Sequence, residues 1–146
     1  MAKTVLLADV RPGLMARLVK SIILWLYRRD GWRAEGVVPT PRRFVIIAAP
    51  HTSNWDFVYY LGLTQELGIK TRFMAKSSLL RWPIGGFMRA MGGVEDDQKS
   101  SHNYVQAMVD VFASHEEFIL TVAPEGTRGK TRRWKTGFYQ IAMAAN

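Results

Sequence analysis

Apolar residues recur along this chain with two different spacings. Between residues 12 and 28, Leu14, Met15, Leu18, Val19, Ile22, Ile23 and Leu26 fall on one stripe with the 3.6-residue period of a helix. Pro12 suits the first helical position. Arg17, Lys20, Arg28 and Arg29 lie off the stripe or at its end, and Trp25 and Tyr27 add amphipathic aromatics. Such a helix is built either for a lipid interface or for docking on the domain's own core. Elsewhere the pattern changes to short unbroken apolar runs. FVIIAA (44–49) and FILTVAP (118–124) lack alternation and are bounded by loop signals, which predicts buried strands. TRFMAK (71–76) predicts a third strand, and WRAEGVV (32–38) a short fourth.

Helical segments fill the intervals. Asn54 is placed to cap a helix running to about Leu67, with Gly68 just beyond its end. Pro83 opens another, which stops near Gly92 and Gly93. Ser100 or Ser101 caps a helix from about 102 to 114, with Tyr104, Val105, Met108, Val109 and Phe112 along one face, and residues 136–145 read as a last helix. Strands alternating with helices predict an α/β domain. Its central sheet is expected to be mixed but largely parallel, flanked by helices and preceded by an N-terminal amphipathic helix. In such sheets ligands bind beyond the carboxyl ends of the strands. HTSNWD (51–56) follows one buried run directly and PEGTRGK (124–130) follows another, so both loops are expected on one edge.

Composition narrows the partners. A chain of 146 residues fits one domain, 1–146, in which segment 1–30 is the basic amphipathic part. With no cysteine, disulfides, a thiol nucleophile and cysteine-based metal sites are excluded. The formal net charge of +8 calls for anionic partners: lipid head groups, phosphorylated metabolites or nucleic acid. The cations cluster. RGKTRRWK (128–135) holds five and no acid, and segment 1–33 holds seven against Asp9 and Asp30. No apolar run approaches the roughly 20 residues needed to span a bilayer. MAKTVLLADV lacks the apolar core of a signal peptide, so the protein is expected to remain where it is made.

His51 and Asp56 carry the first candidate chemistry. A carboxylate bonded to one ring nitrogen fixes the tautomer of a histidine and steadies the imidazolium formed when the other nitrogen takes a proton. That is the His–Asp half of a hydrolase triad, yet no G-x-S-x-G elbow is present, which points to a nucleophile supplied by the substrate. Alone, H-x-x-x-x-D is a weak signal, and a lone histidine at a strand end is more often structural. In PEGTRGK, exposed N–H groups together with Arg128 and Lys130 suit a phosphate or carboxylate, although the P-loop spacing is absent. The alternative for those glycines is an ordinary polar turn.

Taken together, and in that order along the chain, HTSNWD (51–56) and VAPEGTRGK (122–130) resemble the glycerolipid acyltransferase family. Its members include glycerol-3-phosphate and 1-acylglycerol-3-phosphate acyltransferases. His51 and Asp56 match the family's H-x-x-x-x-D motif. Pro124, Glu125, Gly126, Thr127 and Arg128 match its P-E-G-T-R motif. Lys76, RWPIGGFMRAMGG and VEDDQ stand where the family has a lysine-bearing strand, a Pro-x-x-G helix and a short strand ending I-D-R. Gln98 follows Asp97 where the family usually has the arginine assigned to the acceptor phosphate. The family domain continues past the position of Asn146, so a fragment or an unusually short form is expected.

The resemblance, from about Asp30 to Asn146, implies an O-acyltransferase of phospholipid synthesis. His51 would be the general base and Asp56 its orienting partner. Glu125, Gly126, Thr127 and Arg128 would position the acceptor or hold the donor, and Lys76 would contact anionic substrate. The co-substrates implied are acyl-CoA or acyl-carrier protein and a lysolipid or glycerol phosphate. The place implied is peripheral, on the cytoplasmic face of a membrane, with no cofactor, no metal and no nucleic acid. His102 and His115 have no matching role and are read as surface residues. The competing class is a basic module that binds anionic lipid or nucleic acid without chemistry.

Overall fold

The computed structural model describes residues 10–95 and 101–145. Its elements are α1 (Leu14–Arg29), β1 (Arg43–Ile47), α2 (Trp55–Glu66), β2 (Arg72–Ala75), a 3-10 turn (Ser77–Leu80), α3 (Gly85–Ala90), β3 (Gly93–Glu95), α4 (Ser101–Ser114), β4 (Phe118–Val122) and α5 (Gly137–Ala144). Every strand pairing among the described residues is parallel, in the order β1–β4–β2–β3. The protein is therefore an α/β domain whose sheet is parallel throughout.

Side chains leave a strand on alternate faces, so β4 sends Leu120 to one layer and Thr121 to the other. Leu120 and Phe118 meet Met108, Val111 and Phe112 of α4 and Ile141 of α5 in one buried cluster. On the opposite face Phe73 and Ala75 of β2 pack with Leu80 and Met88, bordered by Phe57 and Tyr60 of α2. The Phe57 and Tyr60 rings stand edge-on to Phe73, with centroids 5.3 and 5.6 Å away. Helices on both faces account for the unbroken apolar runs of a buried parallel sheet.

Several expectations change. No strand forms over 32–38. Trp32 instead stacks on Tyr59 at 4.8 Å. The Ala34 N–H donates to the Glu66 carboxylate at 2.9 Å, taking a group that a strand would have used in its ladder. FVIIAA, expected to be a buried strand, contains an edge strand: among the described residues β1 pairs with β4 alone, and Arg43 and Ile47 at its ends are exposed. Pro12 precedes the cap residue Gly13 rather than opening α1. Helix α3 likewise begins at Gly85, beyond Pro83, where a Cβ would meet the Leu80 carbonyl oxygen at 2.2 Å. Asn54 stands immediately before α2 but makes no capping bond. Asp97 and Gln98 lie outside the described residues, as do Ser100 and the side chain of His102, while α4 begins at Ser101. His115 is exposed, as expected.

Most of the expected apolar stripe of α1 faces outward, with Ile23 and Leu26 half-buried. Leu14, Met15, Leu18, Ile22 and Trp25 are all at least half exposed, whereas Tyr27 is the buried residue of the helix. At 100° per residue these five and the exposed Val19 fill an arc of about 140°, next to a docked arc holding Ile23, Leu24 and Tyr27. Tyr27 lies in a notch made by the missing side chain of Gly62, where an added Cβ would fall 2.1 Å from its ring. Its hydroxyl donates to Glu66 Oε2 at 2.7 Å. No helix among the described residues is long and apolar enough to cross a membrane.

Gly62→Ala should therefore displace α1 at a cost of about 1–3 kcal/mol, typical of overpacking, read as a lower urea midpoint and altered Trp25 fluorescence. A second expectation concerns alkaline pH. Loss of water, then the hydrogen bond and charge of Glu66, push the Tyr27 phenol from 10.0 up to about 12. The folded state thus favours the protonated phenol, so its contribution is complete below pH 10 and is lost as pH rises through about 12. An alkaline titration followed by fluorescence should show this step in the natural protein and not in Tyr27→Phe.

Candidate active site

Parallel pairing aligns β1 with β4 along their length, ending with Ile47 opposite Val122. The Ala48 N–H extends the ladder by donating to the Val122 carbonyl at 3.0 Å. Because the strands run the same way, the chain leaves both at one edge, soon reaching His51 from β1 and Glu125 from β4. The two loops are then tied directly, since the His51 N–H donates to Glu125 Oε1 at 3.2 Å.

His51 Nδ1 lies 3.1 Å from Asp56 Oδ2, and the two side chains are 31% and 29% exposed. The same carboxylate oxygen accepts the N–H groups of Thr52 at 2.6 Å and Ser53 at 2.9 Å. Ser53 Oγ in turn accepts the Trp55 N–H at 3.1 Å. The Trp55 bond satisfies a donor that the start of α2 would otherwise leave open, and Asp56 places a negative charge where the helix dipole favours one. Partial burial on its own would raise the Asp56 carboxyl. The Ser53 and Thr52 N–H bonds, followed by the charge and hydrogen bond of His51, outweigh it and hold the group below the usual carboxylate value. Asp56 is thus an ionised acceptor, so Nδ1 carries the hydrogen of the contact, and in the neutral ring this leaves the lone pair on Nε2.

The sequence signal for this arrangement is Ser53-x-x-Asp56, a capping-box spacing lying inside the H-x-x-x-x-D motif. Sequence reasoning missed Ser53 and Thr52 as the groups that steady Asp56. It also passed over Lys135 as an individual residue. The Lys135 N–H donates to the Pro124 carbonyl at 2.8 Å, closing the 125–135 loop. Its side chain lies against Gly126, which has a positive φ of 63° and where a Cβ would meet Lys135 Cε at 2.7 Å.

Glu125 uses one carboxylate oxygen on the His51 loop. The other, Oε2, is shut off from solvent without a partner among the described residues. Thr127 and Arg128 are exposed, and Thr127 Oγ1 accepts the Gly129 N–H at 3.2 Å. Lys76 is exposed where the chain leaves β2, with β4 lying between that strand and β1. It makes no hydrogen bond or ion pair with His51, Asp56 or Glu125 among the described residues. The structure thus joins His51, Asp56 and Glu125 directly, while Lys76, Thr127 and Arg128 share their sheet edge. A hollow of about 420 Å³ lined by Tyr27, Arg28, Trp32, Arg33 and Glu66 lies at the opposite end of α2 from the dyad. Among the described residues no three His, Asp or Glu side chains are grouped to hold a metal ion.

A single nitrogen lone pair beside two anion-tolerant loops can take a proton from a hydroxyl while a neighbouring carbonyl is attacked. No curated protein and no solved structure matches the chain. The sequence model of the acyltransferase family matches residues 33–146, a span that begins just after α1 and covers β1 to β4 and both motif loops. With well over half of the chain matched, the protein belongs to the acyltransferase family.

Proposed function

We propose that the protein transfers a fatty acyl group from the thioester of acyl-CoA or acyl-carrier protein to a hydroxyl of a lysolipid or glycerol phosphate-type acceptor at a membrane surface. The observation that carries this reading is the 3.1 Å contact between His51 Nδ1 and Asp56 Oδ2, tied through the His51 backbone to Glu125. His51 Nε2 takes the acceptor hydroxyl proton as its oxygen attacks the thioester carbonyl. The tetrahedral adduct then collapses, the carbon–sulfur bond breaks, and the imidazolium returns the proton to the departing sulfur. Asp56 holds the ring and stabilises its charged state.

Glu125 holds the His51 backbone by accepting its N–H, which ties the imidazole to the loop after β4. Arg128 and Lys76 offer charge to an anionic head group or to the phosphates of the donor. The outward apolar face of α1 supports the membrane as the place of reaction, because that face has a use in lipid and none in the domain's core.

The test is thiol release from long-chain acyl-CoA in the presence of a lysophospholipid panel. His51→Ala should lose on the order of 10³-fold or more in kcat with its fold retained, and full activity would end the proposal. Glu125→Ala should lower kcat as well, because the loop holding His51 loses its tether. Unchanged kcat with a raised KM would instead limit Glu125 to substrate binding. Leu18→Glu with Ile22→Glu should weaken flotation with liposomes and spare the release of thiol to a water-soluble acceptor.

A further inference from the structure

All five tryptophans of the chain are more than half exposed, although Trp is usually well buried. Trp25 and Trp32 belong to the N-terminal region. The other three sit on three loops that leave the carboxyl ends of adjacent parallel strands. Trp55 follows β1 and is 54% exposed, Trp82 follows β2 and is 93% exposed, and Trp134 closes the loop after β4 and is 51% exposed. Trp82 shares its turn with Ile84, itself 47% exposed. Trp55 and Trp82 have no aromatic ring or cation stacked on them among the described residues.

Charge follows the same geometry. Across 48–56, 76–84 and 123–136, the loops after β1, β2 and β4, the sequence holds seven lysines and arginines and two acids, Asp56 and Glu125, both already bonded at the His51 loop, while Asp96 and Asp97 follow β3 in the sequence. The opposite edge differs: Glu116 and Glu117 precede β4, and the loops entering β2, β3 and β4 hold no tryptophan. Indoles interleaved with cations on one edge suit the boundary of an anionic bilayer, where the ring sits at head-group depth and the cations meet phosphates.

We infer that the carboxyl edge of the sheet, through Trp55, Trp82 and Trp134 and the basic loop 128–135, is itself a docking surface for anionic lipid, separate from the apolar face of α1. This deepens the acyl-transfer reading, on which it rests for its biological sense: His51 would open toward the bilayer, and the acceptor would enter without crossing bulk water. The binding itself needs no turnover, so the two readings fail separately.

The experiment is flotation of the full chain with vesicles of neutral phosphatidylcholine, with or without a quarter of phosphatidylglycerol, in a Leu18→Glu, Ile22→Glu background that silences α1. Salt-sensitive binding to the anionic vesicles should remain in that background. Adding Trp82→Glu and Ile84→Glu should reduce it about tenfold or more. Arg132→Gln with Arg133→Gln should reduce it by about fivefold for each cation removed. Vesicles with brominated acyl chains should quench fluorescence in the background protein, and less so in its Trp82→Phe form. A His51→Ala chain should float like its parent.

Unchanged flotation in the Trp82 and Ile84 variant would overturn the inference. So would equal binding to neutral and anionic vesicles. Tighter binding to single-stranded RNA than to vesicles, lost in the same variants, would transfer the surface to nucleic acid and overturn it as well.

Discussion

Parallel pairing of β1 with β4, from Arg43 opposite Phe118 to Ile47 opposite Val122, sets where the His51 and Glu125 loops stand relative to each other. A one-residue slip would turn every β1 side chain to the other face and move one loop along the edge. Register therefore acts on the site as strongly as on the core. Leu120 and Phe118 anchor β4 in its buried layer, the Ala48 and His51 N–H bonds lock the loops beyond it, and the dyad inherits its geometry from both.

Asp56 shows how little of that geometry is left free. One carboxylate oxygen receives two backbone N–H groups and the imidazole, so the start of α2 and the orientation of His51 depend on a single atom. An ionised acceptor bonded this heavily is pre-organised: it need not reorient when the imidazole becomes charged. The glycine at 126 works to the same end on the other loop, since its positive φ lets the chain turn back close enough for Lys135 to lie across it.

The parts legible in the sequence were those with a local signature. Unbroken apolar runs without alternation marked the strands near 44–49 and 118–124, and TRFMAK was legible as a strand between them. Two motifs at strand ends implied a common edge, because parallel strands force one. What failed was decided by distant contacts. WRAEGVV has strand composition, yet Glu66, far along the chain, captures the Ala34 N–H and Tyr59 captures the Trp32 ring. Nothing local tells β1, at the sheet's edge, from β4 in its interior. The outward turn of the α1 stripe was equally hidden, for a helix wheel shows an apolar face without showing which neighbour meets it. The tethers from Ser53 and Thr52 were readable in principle as a capping box, and Asn54 drew attention from them.

The shallow seat of α1 has a consequence for how the molecule comes apart. Neither buried cluster includes a residue of that helix, and its one buried side chain is a phenol resting on a glycine. Removing the segment from its seat costs the sheet none of its own interior packing. Amide protons of residues 14–29 should then exchange by a sub-global opening that leaves those of β4 protected, so that the segment behaves as a cooperative unit of its own, hinged on the far end of the helix that His51 precedes.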